Sequence, residues 1–159
     1  MVDLLPMIDA KEKQASPSLL RHLVSMVYDA LLVIALIFVV NGLALGVAVQ
    51  LSGGEREVLN PRIGQALFVL CLVAFYSAFW LKDGQTLGMQ AWRIKLVSLE
   101  GGNPKFSQAL LRIAGAALSA GCLGLGYIWK LFDRNKRYWH DYISGTELVL
   151  LPKSSRSKS

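Results

Sequence analysis

Residues 63–81 read Ile-Gly-Gln-Ala-Leu-Phe-Val-Leu-Cys-Leu-Val-Ala-Phe-Tyr-Ser-Ala-Phe-Trp-Leu, without a single charged side chain. A helix needs about 20 apolar residues to cross the roughly 30 Å of bilayer hydrocarbon, so this stretch predicts a transmembrane helix. Tyr76 and Trp80 sit near its end, where amphipathic rings favour the lipid interface, and Lys82-Asp83-Gly84 supplies a turn. Upstream, Leu23 to Leu51 forms a longer apolar block whose strongly polar members are Asp29, Asn41 and Gln50. Ser16-Pro17-Ser18 offers a cap and a first-turn proline ahead of it, and Arg21 and His22 stand where lipid headgroups would lie. Gly53-Gly54 and Pro61 break the chain between the two blocks.

The rest of the composition agrees with a membrane protein of about one domain. Of 159 residues, 53% are hydrophobic, and the net charge is +6. That charge lacks the basic helix with interleaved aromatics, the zinc-finger spacing or the helix-turn-helix pattern that nucleic-acid binding requires, so no nucleic-acid partner is expected. Cys71 and Cys122 lie in apolar blocks with no thiol or histidine at ligand spacing, which predicts inert thiols, no disulfide and no metal site. His22 and His140 likewise lack a second ligand at metal spacing. Met1 to Ser18 carries Asp3, Asp9, Lys11, Glu12 and Lys13 and no continuous apolar core, so the first membrane helix is the expected targeting signal. With no phosphate-binding glycine loop, nucleophile elbow or His-Glu-x-x-His pattern, neither an enzyme nor a cofactor is expected.

Arg93 to Ser98 alternates polar and apolar residues before Gly101-Gly102-Asn103-Pro104, and Glu147 to Leu151 repeats the pattern near the C-terminus. Two strands this short are marginal alone, so they are expected to pair with each other, on one side of the membrane. The third apolar block, Phe106 to Phe132, holds Arg112 and has Gly121, Gly124 and Gly126 toward its end. Basic residues crowd the segments before the first helix (Lys11, Lys13, Arg21), after the second (Lys82, Arg93, Lys95, Lys105) and after the third block (Lys130, Arg134, Lys136, Arg137, Lys153, Arg156, Lys158). The loop between the first two helices has only Arg56 and Arg62. Positive charge favours the cytoplasmic face, so an odd number of crossings would put the most basic segment on the wrong side. The third block is therefore expected to dip in and return, or to lie along the interface, broken at its glycines; a simple crossing is the alternative.

The predicted fold is thus an all-α membrane protein: two transmembrane helices, a third re-entrant or spanning helical segment, and a short cytoplasmic two-stranded β element. Residues 1–18 form a cytoplasmic N-terminal segment, 19–151 the membrane domain and 152–159 a basic tail. The expected location is a membrane, multi-pass, with the N-terminus cytoplasmic.

Asp29 lies about ten residues, or about 15 Å of rise, beyond the Ser16-Pro17-Ser18 cap of the first predicted helix. A carboxylate there must pair, protonate or face a wet cavity. Arg21 is about 12 Å away along the same helix and rotated to another face, whereas Arg112 in the third block can approach as a partner. Such a pair is more often a structural lock, and the sharper reading is a proton- or cation-binding carboxylate. The run from Leu131 to Asp141 reads as an interfacial collar for anionic headgroups. Gly42-x-x-x-Gly46 permits close helix contact within or between chains.

Several motifs together resemble the RDD family of bacterial membrane proteins: Arg21 at the head of the first helix with Asp29 inside it; Asp83-Gly84-Gln85-Thr86-Leu87-Gly88; Arg93-Ile94; Gly101-Gly102-x-Pro104 followed by Gln108-Ala109-Leu110-Leu111-Arg112; and Phe132-Asp133 leading to His140-Asp141-x-x-x-Gly145-Thr146. The likeness runs from about Pro17 to Leu151. The family takes its name from one arginine and two aspartates; Arg21 and Asp29 match the first two and Asp141 the third, with Asp133 the nearby alternative. Met89-Gln90 stands where the family commonly has Lys or Arg after the glycine turn. The resemblance implies a bacterial inner membrane as the location and a transport-related role, concretely monovalent cation/proton exchange. Asp29 would carry the proton or ion, Arg112 would bias its charge, and Arg21 with Asp141 would gate the cytoplasmic mouth. Two or three helices cannot enclose a pathway, so a homo-oligomer is implied; an accessory subunit docked on a larger membrane complex is the competing class.

Overall fold

A computed structural model describes residues 15–55 and 58–152. The N-terminal segment to residue 14, Arg56 and the basic tail from residue 153, each named in the charge argument above, lie outside the described residues.

Helix α1 runs Leu19–Leu51 and α2 runs Pro61–Lys82. Ser18 caps α1 by accepting from the Arg21 amide, and Asn60 caps α2 with Pro61 at its first position, where a missing N–H costs nothing. Both helices are long and apolar enough to cross a membrane. At 22 residues α2 spans about 33 Å, matching the hydrocarbon, whereas the 33 residues of α1 reach about 50 Å. The surplus length of α1 lies at its N-terminal end, because its buried residues are His22, Ser25, Asp29 and Val33, one stripe within its first half. The stretch 31–51 alone supplies a full crossing.

That surplus end is embedded in a polar cap. Helix α3 (Leu87–Ala91) leads into strand β1 (Ile94–Ser98), then come α4 (Phe106–Gly121), α5 (Leu125–Phe132), α6 (Trp139–Ser144) and β2 (Thr146–Leu150). The strands pair antiparallel, Ile94 opposite Leu150, Leu96 opposite Leu148 and Ser98 opposite Thr146. The expected strand pair is therefore present, each strand within a residue of its predicted start. Ile94 and Leu96 are fully buried and form a core with Trp80, Met89, Ala109, Tyr138 and Leu148. A two-stranded sheet is marginal alone, and here α2 and α4 cover its apolar face.

The third apolar block is broken as its glycines predict. Leu123 and Gly124 both adopt positive φ, 55° and 78°, and α5 leaves α4 at 96°. Helix α4 is also two-faced: Gln108, Arg112, Gly115 and Ser119, spaced four, three and four apart, face inward, while Leu110, Leu111 and Leu118 are exposed. The chain is therefore a mostly helical membrane-type protein with two candidate spans, or three if the bent pair is one, and a small antiparallel sheet.

Candidate functional site

Asp29 is 2% exposed, and protein rather than lipid surrounds it. Its Oδ2 accepts the Thr86 hydroxyl at 2.5 Å and its Oδ1 accepts the Gly88 amide at 2.8 Å. Thr86 is also the cap of α3, its Oγ1 accepting the Met89 amide at 3.2 Å, so one hydroxyl ties α1 to α3. Only glycine fits at 88: a Cβ there would stand 2.9 Å from the Asp29 carboxyl and closer still to the Ser25 carbonyl oxygen. Gly84, at φ 69°, is confined by β1, whose Leu96 amide donates to its carbonyl at 2.7 Å. The Gly-Gln-Thr-Leu-Gly turn is thus the piece that sets α3 against the Asp29 face of α1 and holds β1 beside α3.

The expected pairing of Asp29 with Arg112 is not what forms. Arg112, 3% exposed on α4, gives its Nη1 to Asp141 Oδ1 at 2.5 Å and to Thr146 Oγ1 at 2.8 Å, with its guanidinium 5.8 Å from the Trp80 ring centre. Asp141 Oδ2 accepts the Tyr138 amide at 2.8 Å, and Thr146 Oγ1 lies 2.6 Å from Ser144 Oγ, which donates to the His140 carbonyl. Both acidic oxygens are thereby committed. The physical reason is the break in the third block: it folds α6 back along α4, where Gly115 lets the His140 backbone come close, and so aligns Asp141 with Arg112. Arg21, expected with Asp141 at a cytoplasmic gate, is half-buried, and its Nη1 is buried without a hydrogen-bond partner among the described residues. Asp133 belongs to a different, local arrangement, accepting from the Arg137 amide at 2.9 Å and from the Tyr142 hydroxyl. The Arg137 amide in particular holds its carboxyl below the usual carboxylate range.

Beside the Arg112–Asp141 pair lies a set of rings, part of which the sequence places in an interfacial collar. Tyr138, His140 and Asp141 are instead almost wholly buried, because α6 packs its polar face against α4. The Tyr138 hydroxyl lies 3.0 Å from His22 Nδ1 and accepts from Lys130 Nζ at 3.3 Å, and Lys130 also donates to the Pro17 carbonyl at 2.7 Å. The Tyr138 ring stacks on His140 at 5.0 Å, and the Lys130 ammonium lies 4.4 Å from the Tyr138 ring centre. Burial, with the Arg112 charge second, depresses His140 to about 2, so its imidazole is neutral at physiological pH. Burial raises the Tyr138 hydroxyl above its usual range, the Asp141 charge adding to this. Arg134 and Lys136, by contrast, are exposed. Among the described residues no three His, Cys, Asp or Glu side chains come together as a metal site.

Sequence reasoning gave Thr86, Thr146, Lys130 and Tyr138 no chemical role. The hydroxyls lay within recognisable turns, but nothing local says which carboxylate a threonine will meet. Comparison with curated proteins and with solved structures found no match. The profile of the RDD family matches residues 16–145, a span that holds Arg21, Asp29, the glycine turn and the Arg112–Asp141 pair. Covering most of the sequence, that match shows that the chain belongs to the RDD family.

Proposed function

We propose that this membrane protein exchanges a monovalent cation for protons across a bacterial inner membrane, working as a homo-oligomer with its polar cap in the cytoplasm. The observation that carries the reading is the state of Asp29: buried to 2%, bonded by the Thr86 hydroxyl and the Gly88 amide, and in no ion pair among the described residues. A buried carboxylate held by neutral donors can bind a proton or a small cation without first breaking a salt bridge, whereas Asp141 is committed to Arg112. Asp29 is therefore the ion-carrying group, and Arg112 with Asp141 is the structural lock of the cap. The exposed Lys82, Lys105, Arg134 and Lys136 stand at the cap end, where the inner leaflet's anionic headgroups would favour them.

The test is cation-driven proton movement in proteoliposomes holding only the purified chain, read with a trapped pH dye. Flux is expected from the parent protein and is expected to vanish in Asp29→Asn that keeps its membrane level and thermal stability. No flux above empty vesicles overturns the reading. The second reading, a non-enzymatic accessory subunit, draws on the exposed apolar faces of α1 and α2, which a larger complex could cover. Co-purification with a fixed stoichiometric membrane partner, together with silent proteoliposomes, would favour it.

A further inference from the structure

Where α1 and α2 run side by side, a groove of about 660 Å³ opens toward the membrane, lined by Ile37, Phe38, Asn41, Gln65, Phe68 and Val69. Four of these side chains are apolar and two are amides. Asn41 lies about 18 Å along α1 from Asp29, and Gln65 about 26 Å along α2 from Lys82, so both stand at hydrocarbon depth. The Asn41 amide nitrogen donates to the Ile37 carbonyl at 3.0 Å within its own helix, while its oxygen lies over Gly64 of α2 without a hydrogen bond among the described residues. Gln65 is exposed, and its side-chain amide has no hydrogen bond among the described residues. Lipid tails offer these groups nothing, and an unmet amide in hydrocarbon is unfavourable enough to select a hydrogen-bonding neighbour.

We propose that this groove is the seat of a second copy of the same chain, packed so that Gln65 of each protomer bonds Asn41 of the other. An amide is both donor and acceptor, so a two-fold axis through the groove satisfies both sites with the same residues. Phe68 and Val69, about half exposed, and Phe38, three-quarters exposed, supply the apolar contact around the amides. An acyl chain fills the same volume and leaves the amides unmet, which is why a protein copy fits the groove better. The inference names the partner in the oligomer of the proposed exchanger, and it stands or falls on association rather than flux.

The experiment uses a background with Cys71→Ala and Cys122→Ala, in which copies bearing Asn41→Cys and differently tagged copies bearing Gln65→Cys are co-expressed and oxidised in native membranes. A disulfide-linked dimer carrying both tags is expected. Val47→Cys, whose exposed position on α1 is turned away from the groove, is expected to yield at least tenfold less with Gln65→Cys. In reconstituted bilayers the Asn41→Leu/Gln65→Leu variant is expected to lose at least tenfold in dimer fraction by single-molecule photobleaching. Cross-linking no better than the Val47→Cys control, a monomeric parent, or an undiminished dimer in the double variant each overturns the proposal. Cross-linking with silent proteoliposomes would defeat the exchanger reading alone, and flux without cross-linking would defeat this one alone.

Discussion

Arg112 and Asp141 are 3% and 2% exposed as side chains, and each is the other's only charged partner among the described residues. Truncating one member of such a pair leaves an uncompensated buried charge, which typically costs about 3–5 kcal/mol. Arg112→Ala is therefore expected to lower the thermal unfolding temperature in detergent steeply. Arg112→Met with Asp141→Leu is expected to recover much of the loss, since removing both charges also removes their desolvation. His140 makes a prediction of opposite chemistry. The folded protein holds it neutral down to about 2, far below the value of 6.5 it takes when exposed, so protonation favours the unfolded chain. Its contribution to stability is complete above about pH 6.5 and declines as pH falls below that, by up to about 1.4 kcal/mol per unit. Unfolding temperatures measured from pH 7.5 to 5 are expected to fall in the parent protein and to fall less steeply in His140→Gln. A slope unchanged by the substitution would show that other groups set it.

At the scale of elements, the instructive comparison is between α1 and the α4–α5 pair. After Val33 no residue of α1 is fully buried, and only a half-buried stripe at 37, 40, 41, 44, 45, 48 and 49 recurs, as expected of a helix that faces lipid around most of its circumference, while His22, Ser25, Asp29 and Val33 are fully buried on one stripe as in a water-soluble protein. One helix thus serves two solvents. Single cysteines at Leu36, Leu43 and Val47 are expected to resist a membrane-impermeant maleimide, whereas one at Leu20, 72% exposed in the cap, is expected to react. Labelling at Leu43 as fast as at Leu20 would remove the crossing segment. The break in α4–α5 was legible from three glycines within six residues, because a left-handed φ is cheap only for glycine and Gly124 takes it. The polar stripe of α4 was legible only in hindsight: its members are a glutamine, an arginine, a glycine and a serine, and only their packing against α6 shows that they share a purpose.

For the whole molecule, the two spans, joined by a short loop, bring the start of α1 and the end of α2 to the same level, where the sheet and α3 to α6 form one cap. Lys130 on α5 bonds Pro17 at the head of α1, and Leu150 on β2 bonds Ala15, so the first and last described segments meet in this cap. Reporter tags fused before Met1 and after Ser159 are accordingly expected to be protected on the same side of sealed membrane vesicles. Tags on opposite sides would require the bent pair to be a crossing.

Apolar run lengths, charge asymmetry and the glycine turn were readable in order along the chain because each depends on neighbours in sequence: a span is a matter of length, a break of local φ, a strand of alternation. On those grounds the sequence by itself determined the membrane class, the two spans, the broken third block, the strand pair and the family. Which charge meets which was decided by tertiary structure alone. Asp29 took Thr86 and Gly88, 57 and 59 residues away, and Arg112 took Asp141, because the fold placed those groups within hydrogen-bonding distance, and nothing in the local sequence encodes a distance across the cap. The same holds for depth: an aspartate inside an apolar run looks immersed in lipid until the fold shows how much of its helix is wrapped in protein.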